Sequence, residues 1–520
     1  MKSINFLLMV LSCCWLSQAF AGSQSPNIIL IYTDDQGFGD VSYLNPHSKF
    51  QTPNMDRLAE EGIAFLNGHS TSSVCTPSRY GLLTGRYNWR TTLKKRVLKA
   101  EAPGLIEDGR MTLASMLRDN GYDTAMVGKW HLGMDFPGTP DSRDWNQPVT
   151  DMPLDKGFDY FYGIPASMNY GVLAWFEGRH ARVPPIRFTA KKKNERHPID
   201  YRIMPPYQAT PEETLELLGK SGLEVAPDFV DNLSLTRFTD KAIQWLENRV
   251  GEVRKEKPFF LYLPYTSPHY PVCPLPEFHG QGDCGAYGEF IIETDHHIGR
   301  LLSYLQSSGL DDDTMIIFSS DNGPASVWKT NITEFDHHSN HSFRDGKFSI
   351  YEGGTRVPFF IRWPAGIQHP GRVWDKRVGQ VDLLATLAEL IGAVLPDDAA
   401  EDSQSFAPVL MDPKAELIRA PLVSHSFSGQ FAITYEDWKL VLPFKKKSFE
   451  LYNLSSDPGE TNDVAARHPQ QVANLKDMLT KIVLRGRTSA GKPQPNDTGY
   501  WPELTWITAD EYKQESLNEM

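Results

Sequence analysis

Four apolar runs, separated by helical segments, constrain the fold of this chain more than any other feature. The runs cover residues 28–32, 122–127, 258–263 and 314–319. The run at 28–32 is continuous, which is typical of a strand that is buried on both faces of a parallel sheet, and the other three are mainly apolar strand candidates. Amphipathic segments with helical spacing lie between and beside them, at 52–62, 112–120, 235–248 and 290–306. The alternation predicts an α/β fold in which helices flank a largely parallel sheet.

Polar residues follow each of the four runs and predict where a ligand binds. They are Asp34 and Asp35, then Lys129 and His131, then His269, and last Asp321 and Asn322. Parallel sheets bind ligands at the carboxyl ends of their strands, so we expect these side chains to converge. The Asp and Asn side chains offer only oxygen donors, which favours a hard cation, Ca²⁺ or Mg²⁺, over zinc. A turn or a helix cap is the alternative role for either acidic pair alone.

Cys75 stands at the predicted start of a short helix. Pro77 suits the first turn of that helix, and Gly85 suits its C-terminal end. The N-terminal end of a helix favours an anion, and Arg79 lies four residues on, on the same helical face as Cys75. A buried cysteine with a structural role is the alternative interpretation of this position.

The N-terminal segment 1–21 predicts a signal peptide. Lys2 is followed by an apolar run over 4–16, and Ala19-Phe20-Ala21 is a cleavage site of the A-x-A type. A lipoprotein signal at Cys13 is the alternative, although the apolar run before it is short. Since no later stretch approaches a membrane span, we expect an exported protein, periplasmic or secreted.

The cysteines and the net charge limit which functions suit this chain. Pairing of Cys273 with Cys284 is left open, and it would leave Cys75 unpaired in an exported chain. The net charge of −13 does not suit nucleic-acid binding. The run Lys191, Lys192 and Lys193 is either a solvated surface or a basic subsite for a polyanion.

The pattern changes after an acidic stretch at 396–402, which suggests a connector. Short strand candidates follow at 431–434, 438–442 and 449–454, and a helix at 469–484. We therefore predict a catalytic domain over 22–395 and a smaller α+β domain over 396–520 that completes the pocket.

Six segments, in order, resemble the type I, formylglycine-dependent, arylsulfatase A-like sulfatases. They are 27–37, 75–79, 128–133, 267–271, 320–323, and 344–347 with 351–358. The second contains Cys-x-Pro-x-Arg and is followed by Leu-Thr-Gly-Arg. The resemblance extends over nearly the whole mature chain. It implies an alkaline-phosphatase-like fold, with a large mixed, mostly parallel sheet and a smaller C-terminal α+β domain.

The resemblance also implies a modified nucleophile and a metal. Cys75 would be converted to formylglycine (3-oxoalanine) by a formylglycine-generating enzyme, and Arg79 would stabilise the aldehyde hydrate. The bound ion would be Ca²⁺ rather than Mg²⁺, because oxygens of the nucleophile and the sulfate complete a larger ligand shell. The implied metal ligands are the modified Cys75, Asp34, Asp35, Asp321 and Asn322.

The remaining residues carry roles in sulfate binding and proton transfer in the same family. Lys129 and Lys347 would bind sulfate oxygens, with Ser167 as a further contact. His269 would contact substrate and protonate the leaving-group oxygen. His131 would deprotonate the second hydroxyl of the hydrate, which expels sulfate and regenerates the aldehyde.

The favoured function is a sulfatase that acts on O-sulfate groups of a sulfated polysaccharide or oligosaccharide. One alternative is a phosphonate monoester hydrolase or phosphodiesterase of the same superfamily. Another is a non-catalytic protein that binds sulfated glycans and keeps Cys75 unconverted. The sequence does not indicate which sugar or which sulfate position is recognised.

Overall fold

The computed structural model describes residues 25–189, 222–253, 257–445 and 448–513, together with Glu216. The predicted signal peptide at 1–21 and the three lysines at 191–193 lie outside the described residues. Within the described part of the chain, no helix is both long enough and apolar enough to cross a membrane.

Strands and helices alternate through the first three quarters of the chain. The strands are β1 (Asn27–Asp34), β2 (Ile63–Phe65), β3 (Gly68–His69), β4 (Asp123–Lys129), β5 (Tyr160–Ile164), β6 (Phe176–Glu177), β7 (His180–Ala181), β8 (Arg187–Thr189), β9 (Leu223–Val225), β10 (Phe259–Pro268), β11 (Thr314–Ser320), β12 (Phe359–Arg362), β13 (Arg372–Trp374), β14 (Val378–Gly379), β15 (Leu422–His425), β16 (Phe431–Tyr435), β17 (Trp438–Val441) and β18 (Glu450–Asn453). The helices are α1 (Pro53–Glu60), α2 (Cys75–Thr84), α3 (Leu113–Asp119), α4 (Ser234–Glu247), α5 (Val250–Val253), α6 (Gly285–Ser308), α7 (Trp328–Phe335), α8 (Glu352–Thr355), α9 (Leu383–Ile391), α10 (Ala407–Met411) and α11 (Pro469–Leu484).

The central sheet has the strand order β13-β2-β12-β11-β1-β10-β4-β5-β6-β7. The four apolar runs are its neighbouring strands β11, β1, β10 and β4, and these run parallel to one another. Strand β12 pairs antiparallel with β11, so the sheet is mixed. The prediction of a large, mixed and mostly parallel sheet is confirmed.

Helices cover both faces of this sheet. Helices α4 and α6 pack against β10 and against each other, whereas α2, α3 and α9 form a separate group. Every residue of β1, β10 and β11 is buried. Strands with two covered faces need apolar residues at every position, which explains why their sequences do not alternate.

Helix α2 brings Cys75 to the edge of the sheet. The residue before it, Val74, is extended, and Gly85 ends the helix in a left-handed conformation with φ of 62°. The Gly85 N–H donates to the carbonyl of Gly81 at 3.0 Å. Glycine adopts this conformation without a steric penalty, so the predicted helix end is confirmed.

A separate antiparallel sheet lies near the C-terminus. Its strand order is β15-β16-β17-β18, and α11 packs against β16 and β17. The three predicted strands correspond to β16, β17 and β18, whereas β15 was not predicted. The smaller α+β unit is therefore present, and its assignment to a domain over 396–520 stays a prediction.

The acidic stretch at 396–402, predicted as a connector, ends in two buried carboxylates. Glu401 and Asp402 are buried. Asp402 accepts hydrogen bonds from Arg90 at 2.7 and 2.8 Å, and Glu401 forms an ion pair with Arg86 at 3.1 Å. These carboxylates neutralise buried arginines that are distant in sequence, and the role of the stretch as a connector stays a prediction.

Cys273 and Cys284 are both buried, and no disulfide bond joins them in the structure. Burial raises the pKa of the Cys284 thiol. Both side chains belong to the main hydrophobic core. They therefore contribute apolar packing rather than a covalent link.

Candidate active site

The predicted site residues lie together at the carboxyl edge of the four central parallel strands. Asp34 ends β1 and Lys129 ends β4, while His269 directly follows β10 and Asp321 directly follows β11. Cys75 is the first residue of α2 and is buried beside them. Because β11, β1, β10 and β4 are neighbours, their carboxyl ends deliver these side chains to one place.

The Cys75 sulfur lies between the carboxylate of Asp34 and the ammonium group of Lys347. Its Sγ is 3.5 Å from Oδ1 of Asp34 and 3.6 Å from Nζ of Lys347. Burial, and next the nearby charge of Asp321, raise the pKa of the Cys75 thiol. Since the thiolate is the reactive form of cysteine, the unmodified side chain is a poor nucleophile at neutral pH.

Three carboxylates in the site are each paired with a cation. The first pair joins Lys129 Nζ to Asp34 Oδ2 at 2.5 Å, and the second joins Lys347 Nζ to Asp35 Oδ2 at 2.7 Å. Arg79 Nη2 donates to Asp321 Oδ2 at 2.8 Å. None of the six side chains is more than 6% exposed, so their interactions are screened little by solvent. The charges balance, and an added sulfate group would make the site negative.

The pKa values in the cluster reflect this pairing. Burial raises the pKa of the Asp34 carboxyl, but Lys129 and the other nearby cations outweigh burial and lower it to about 2. Burial and the neighbouring Asp34 raise the pKa of Asp321. Burial alone would lower the pKa of the Lys347 ammonium, yet Asp35 and the other anions raise it. Lys347 is therefore a permanent positive charge beside the Cys75 sulfur.

The donor set fits a hard divalent cation. Ligand atoms of Asp34, Asp35, Cys75 and His269 all lie within 4.8 Å of one another. Asn322 donates through Nδ2 to Asp35 at 2.8 Å, and its buried Oδ1 has no hydrogen-bond partner among the described residues. A buried oxygen acceptor beside acidic side chains is the arrangement that Ca²⁺ or Mg²⁺ uses.

His131 presents one ring nitrogen as a proton acceptor. Its Nε2 is 3.0 Å from the carbonyl oxygen of Leu98, and its buried Nδ1 has no hydrogen-bond partner among the described residues. Burial, followed by the charges of Lys129 and Arg79, lowers the pKa of His131 well below its ordinary value. A neutral ring must donate from Nε2 to the carbonyl, which leaves the Nδ1 lone pair available.

His269 has the opposite arrangement. Its Nδ1 is 2.5 Å from the carbonyl oxygen of Tyr270, and its Nε2 is 3.7 Å from Oδ2 of Asp35. The carbonyl can only accept, so Nδ1 carries hydrogen and Nε2 faces the carboxylate cluster. Burial lowers the pKa of His269, while Asp34 opposes that effect. The second nitrogen is the one that can exchange a proton with a ligand.

Ser167 lies on the loop that follows β5, the strand beside β4. The same loop accepts a hydrogen bond from the His131 N–H through Pro165, at 2.8 Å. The Ser167 hydroxyl is buried and has no hydrogen-bond partner among the described residues. The loop pairing brings this hydroxyl toward the histidine side of the site.

Comparison with known families identifies the chain. A family model described as "Sulfatase" matches residues 26–393, and one described as "N-sulphoglucosamine sulphohydrolase, C-terminal" matches residues 339–487. The first match spans more than half of the chain. This chain belongs to the sulfatase family. The sulfatase is therefore a sulfuric ester hydrolase.

Similar proteins cover nearly its whole length. An N-acetylgalactosamine-6-O-sulfatase from Bacteroides thetaiotaomicron is 34% identical over 89% of this chain and 94% of its own. Human arylsulfatase A is 30% identical over 92% of both chains. A structure from work on glycosaminoglycan metabolism by Bacteroides thetaiotaomicron has a TM-score of 0.77 at 32% identity, and it covers 88% of the sulfatase and 99% of that chain. These relatives support the family assignment across both sheets.

Some residues of the site were not predicted from the sequence. The Tyr170 ring packs against that of His131 at a tilt of 49°, with ring centres 5.6 Å apart, and the Leu98 carbonyl accepts the histidine hydrogen bond. The Arg79 guanidinium lies 5.4 Å from the ring centre of Tyr32. Tyr32 could have been predicted as a site residue, because it ends an apolar run two residues before Asp34. Nothing in the local sequence marks Tyr170 or Leu98, because only the folded loops bring them to the site.

Proposed function

We propose that this sulfatase hydrolyses O-sulfate esters of a sulfated oligosaccharide or polysaccharide, with formylglycine at position 75 and a bound Ca²⁺. The observation that carries the proposal is the position of Cys75, buried between Asp34 and Lys347 in a charge-balanced cluster. The bacterial relative named N-acetylgalactosamine-6-O-sulfatase supports a 6-O-sulfated N-acetylgalactosamine unit as the substrate.

Conversion of Cys75 would solve a chemical problem at this site. The raised pKa keeps the thiol neutral, so an unmodified cysteine attacks poorly. The hydrated aldehyde of formylglycine supplies a hydroxyl that attacks sulfur and a second hydroxyl that allows sulfate to be expelled. We propose that Arg79 stabilises this hydrate. Arg79 lies four residues after Cys75 on α2, and its guanidinium donates to Asp321.

The lysines would bind the sulfate group. Lys347 lies 3.6 Å from the Cys75 sulfur, and Lys129 lies on the other side of Asp34. Both are positioned to stabilise negative charge that develops on sulfuryl oxygens. The Ser167 hydroxyl, which has no hydrogen-bond partner in the described part of the chain, is proposed as a further donor to sulfate.

The two histidines would move protons in opposite directions. His269 would bind substrate with both ring nitrogens protonated, donate the Nε2 proton to the sugar oxygen as the S–O bond breaks, and be left neutral with its proton on Nδ1. His131 would accept a proton at Nδ1, the nitrogen without a partner among the described residues, and so assist release of sulfate. The carboxylates of Asp34 and Asp35 favour the protonated form of His269, whereas Lys129 and Arg79 favour the neutral form of His131, which supports this division of roles.

We propose that Asp34, Asp35, Asp321 and Asn322 hold the Ca²⁺ together with the modified residue 75. The ion would offset the negative charge that a sulfate ester brings into a balanced cluster. Two features support the ligand assignment: Oδ1 of Asn322 has no partner within the described ranges, and all four side chains can offer oxygen atoms to a metal.

Maturation and export belong to the same proposal. Cys75 is 2% exposed in the folded chain, so a formylglycine-generating enzyme would need access before folding. The apolar segment and cleavage site at 1–21 support export to the periplasm or the medium. The proposed C-terminal domain over 396–520 would complete the pocket, because the carbonyl of His425 accepts a hydrogen bond from Ser73 near the nucleophile.

Sulfate release from a panel of sulfated saccharides tests the function. The protein, produced with a formylglycine-generating enzyme, is incubated with 6-O- and 4-O-sulfated N-acetylgalactosamine and with other sulfated sugars, and products are followed by mass spectrometry. We expect desulfation of the 6-O-sulfated sugar and none by Cys75→Ala. A higher kcat/KM on an aryl phosphonate monoester would instead favour the phosphonate hydrolase alternative. Binding of sulfated sugars without turnover would favour a non-catalytic protein.

A further inference from the structure

Phe348 is an exposed aromatic residue next to Lys347, the lysine that contacts the candidate nucleophile. It follows Lys347 in sequence and is 47% exposed. The centre of its ring lies 5.4 Å from Lys347 Nζ, which in turn lies 3.6 Å from the Cys75 sulfur. Large apolar side chains exposed at a site of this kind commonly contact a ligand.

The backbone at Phe348 is held in a conformation that a bulky residue avoids. Its φ is 76°, in the left-handed region, and its N–H donates to the carbonyl of Ser73 at 2.9 Å. Glycine would adopt this conformation at no steric cost, so the local fold does not call for phenylalanine. Strained residues of this kind cluster at functional sites.

A second aromatic ring fixes the position of Phe348. Phe427, on the loop between β15 and β16, packs edge-on against it, with ring centres 5.2 Å apart and planes at 79°. The carbonyl of Phe427 accepts a hydrogen bond from Arg96 at 2.7 Å. Three segments that are far apart in sequence therefore hold one exposed ring in place before any ligand arrives.

We propose that Phe348, supported by Phe427, is the platform on which the sugar ring bearing the sulfate ester stacks. The inference rests on the proposed function and adds a specificity residue to it. When Lys347 binds the sulfate oxygens, the sugar must extend from the sulfur toward the protein surface, where the Phe348 ring lies. A pyranose has a face rich in C–H groups, which gains from contact with an aromatic ring, whereas the hydroxyl edge remains in water.

Kinetics of Phe348→Gly and Phe348→Tyr test the platform. The formylglycine-bearing protein is assayed on 6-O-sulfated N-acetylgalactosamine, and KM, kcat and inhibition by inorganic sulfate are measured together with Tm. We expect Phe348→Gly to raise KM roughly tenfold, the size of a typical aromatic contact, with inhibition by sulfate unchanged. Its Tm should be equal or higher because the left-handed strain is removed. Phe348→Tyr keeps the ring and should restore KM.

Ile418→Gly is the matched control, since Ile418 is 81% exposed in a loop and lies outside the site. It should leave KM unchanged. The platform is overturned if the wild-type protein desulfates the sugar and Phe348→Gly does so with the same KM, and the proposed function then stands. It is also overturned if sulfate inhibition weakens and Tm falls in parallel, which would indicate a structural role. Failure of the wild-type protein to desulfate any sugar would overturn both proposals.

Discussion

At the scale of single residues, the two histidines of the site differ in the nitrogen that each leaves available. His131 uses Nε2 on the Leu98 carbonyl, and His269 uses Nδ1 on the Tyr270 carbonyl. Backbone carbonyls only accept hydrogen bonds, so these contacts fix the proton-bearing nitrogen of each neutral ring. Each neutral ring is left with one unprotonated nitrogen, and the carboxylates near His269, unlike the cations near His131, favour the protonated ring that a general acid needs.

We predict that His269→Ala slows desulfation of a sugar much more than hydrolysis of an activated aryl sulfate. A sugar alkoxide leaves poorly without a proton, so loss of the general acid should cost about 10²- to 10⁴-fold in kcat. An aryl oxide with a low pKa leaves without that help. The measurement is kcat on both substrates for each variant.

His131→Ala is the comparison for this experiment. It should slow both substrates by a similar factor, because sulfate release after the first step does not depend on the departed alcohol. An equal loss on both substrates in His269→Ala would contradict the assignment of that residue as the acid.

At the scale of elements, the long helix α6 buries Glu293 in surroundings that favour its neutral, protonated form. Glu293 accepts a hydrogen bond from the Leu275 N–H at 2.9 Å, and its other oxygen is 3.7 Å from Nε2 of His297. Burial raises the pKa of Glu293 to about 8 and lowers that of His297 to about 3. Both side chains are therefore uncharged at pH values between these two pKa values, which includes neutral pH.

This pair predicts a loss of stability at alkaline pH. The pKa of an unfolded glutamate is ~4.3, so the folded chain holds a proton that the unfolded chain releases. The resulting stabilisation is complete below that value and is lost as pH rises through about 8. Glu293→Gln should lessen this loss, by at most a few kcal/mol at ~1.4 kcal/mol per pKa unit.

Urea unfolding of the wild type and Glu293→Gln at pH 6 and pH 8.5, values on either side of the Glu293 transition, checks the effect. The variant should gain stability relative to the wild type at the higher pH. Glu334→Gln, on the exposed surface of α7, is the control and should show no such gain. A constant difference between wild type and Glu293→Gln at both pH values would contradict the prediction.

Elements with a strong local pattern were predictable, and elements defined by distant partners were not. Strands β1, β4, β10 and β11 each contain an apolar run, and their order in the sheet explains why the polar residues after them meet. Strands β2 and β12 have three and four residues, too few for a readable period. The aromatic contact between Phe348 and Phe427 joins two loops 79 residues apart in number, and no local pattern indicates it.

At the scale of the whole molecule, a buried ion network joins the small sheet to the active-site segment. Lys439 on β17 places Nζ 2.9 Å from Glu352 on α8 and 2.9 Å from Glu460. All three side chains are buried. Helix α8 begins five residues after Lys347, so the network links the C-terminal sheet to a residue of the proposed sulfate site. The predicted domain division at residue 396 therefore does not imply independent folding.

We predict that Lys439→Met destabilises the protein by ~3–5 kcal/mol, because two buried carboxylates lose their cation. Chemical unfolding followed by intrinsic fluorescence measures the change. Lys481→Met removes a surface pair with Asp477, in which both side chains are 61% exposed, and should change stability by less than ~1 kcal/mol. Equal losses of stability in the two variants would show that the buried network stabilises the protein no more than a surface ion pair does.

The buried acids at 401 and 402 show why this level of organisation was not predictable. An acidic stretch is typical of a solvated segment, and only the fold brings Arg86 and Arg90 against it. The site itself was predictable because its residues follow strands that are adjacent and parallel. No comparable rule predicts, from the sequence, which charged residues of distant segments form ion pairs.

The central claim is that the group acting at position 75 is made from a cysteine thiol. The most direct measurement compares the fraction of residue 75 present as aldehyde, from peptide mass spectrometry, with sulfate release per mole of protein. Preparations made with and without the formylglycine-generating enzyme provide different fractions. We predict that activity is proportional to the aldehyde fraction and absent at zero. Equal activity in a preparation that retains only the Cys75 thiol would contradict the account.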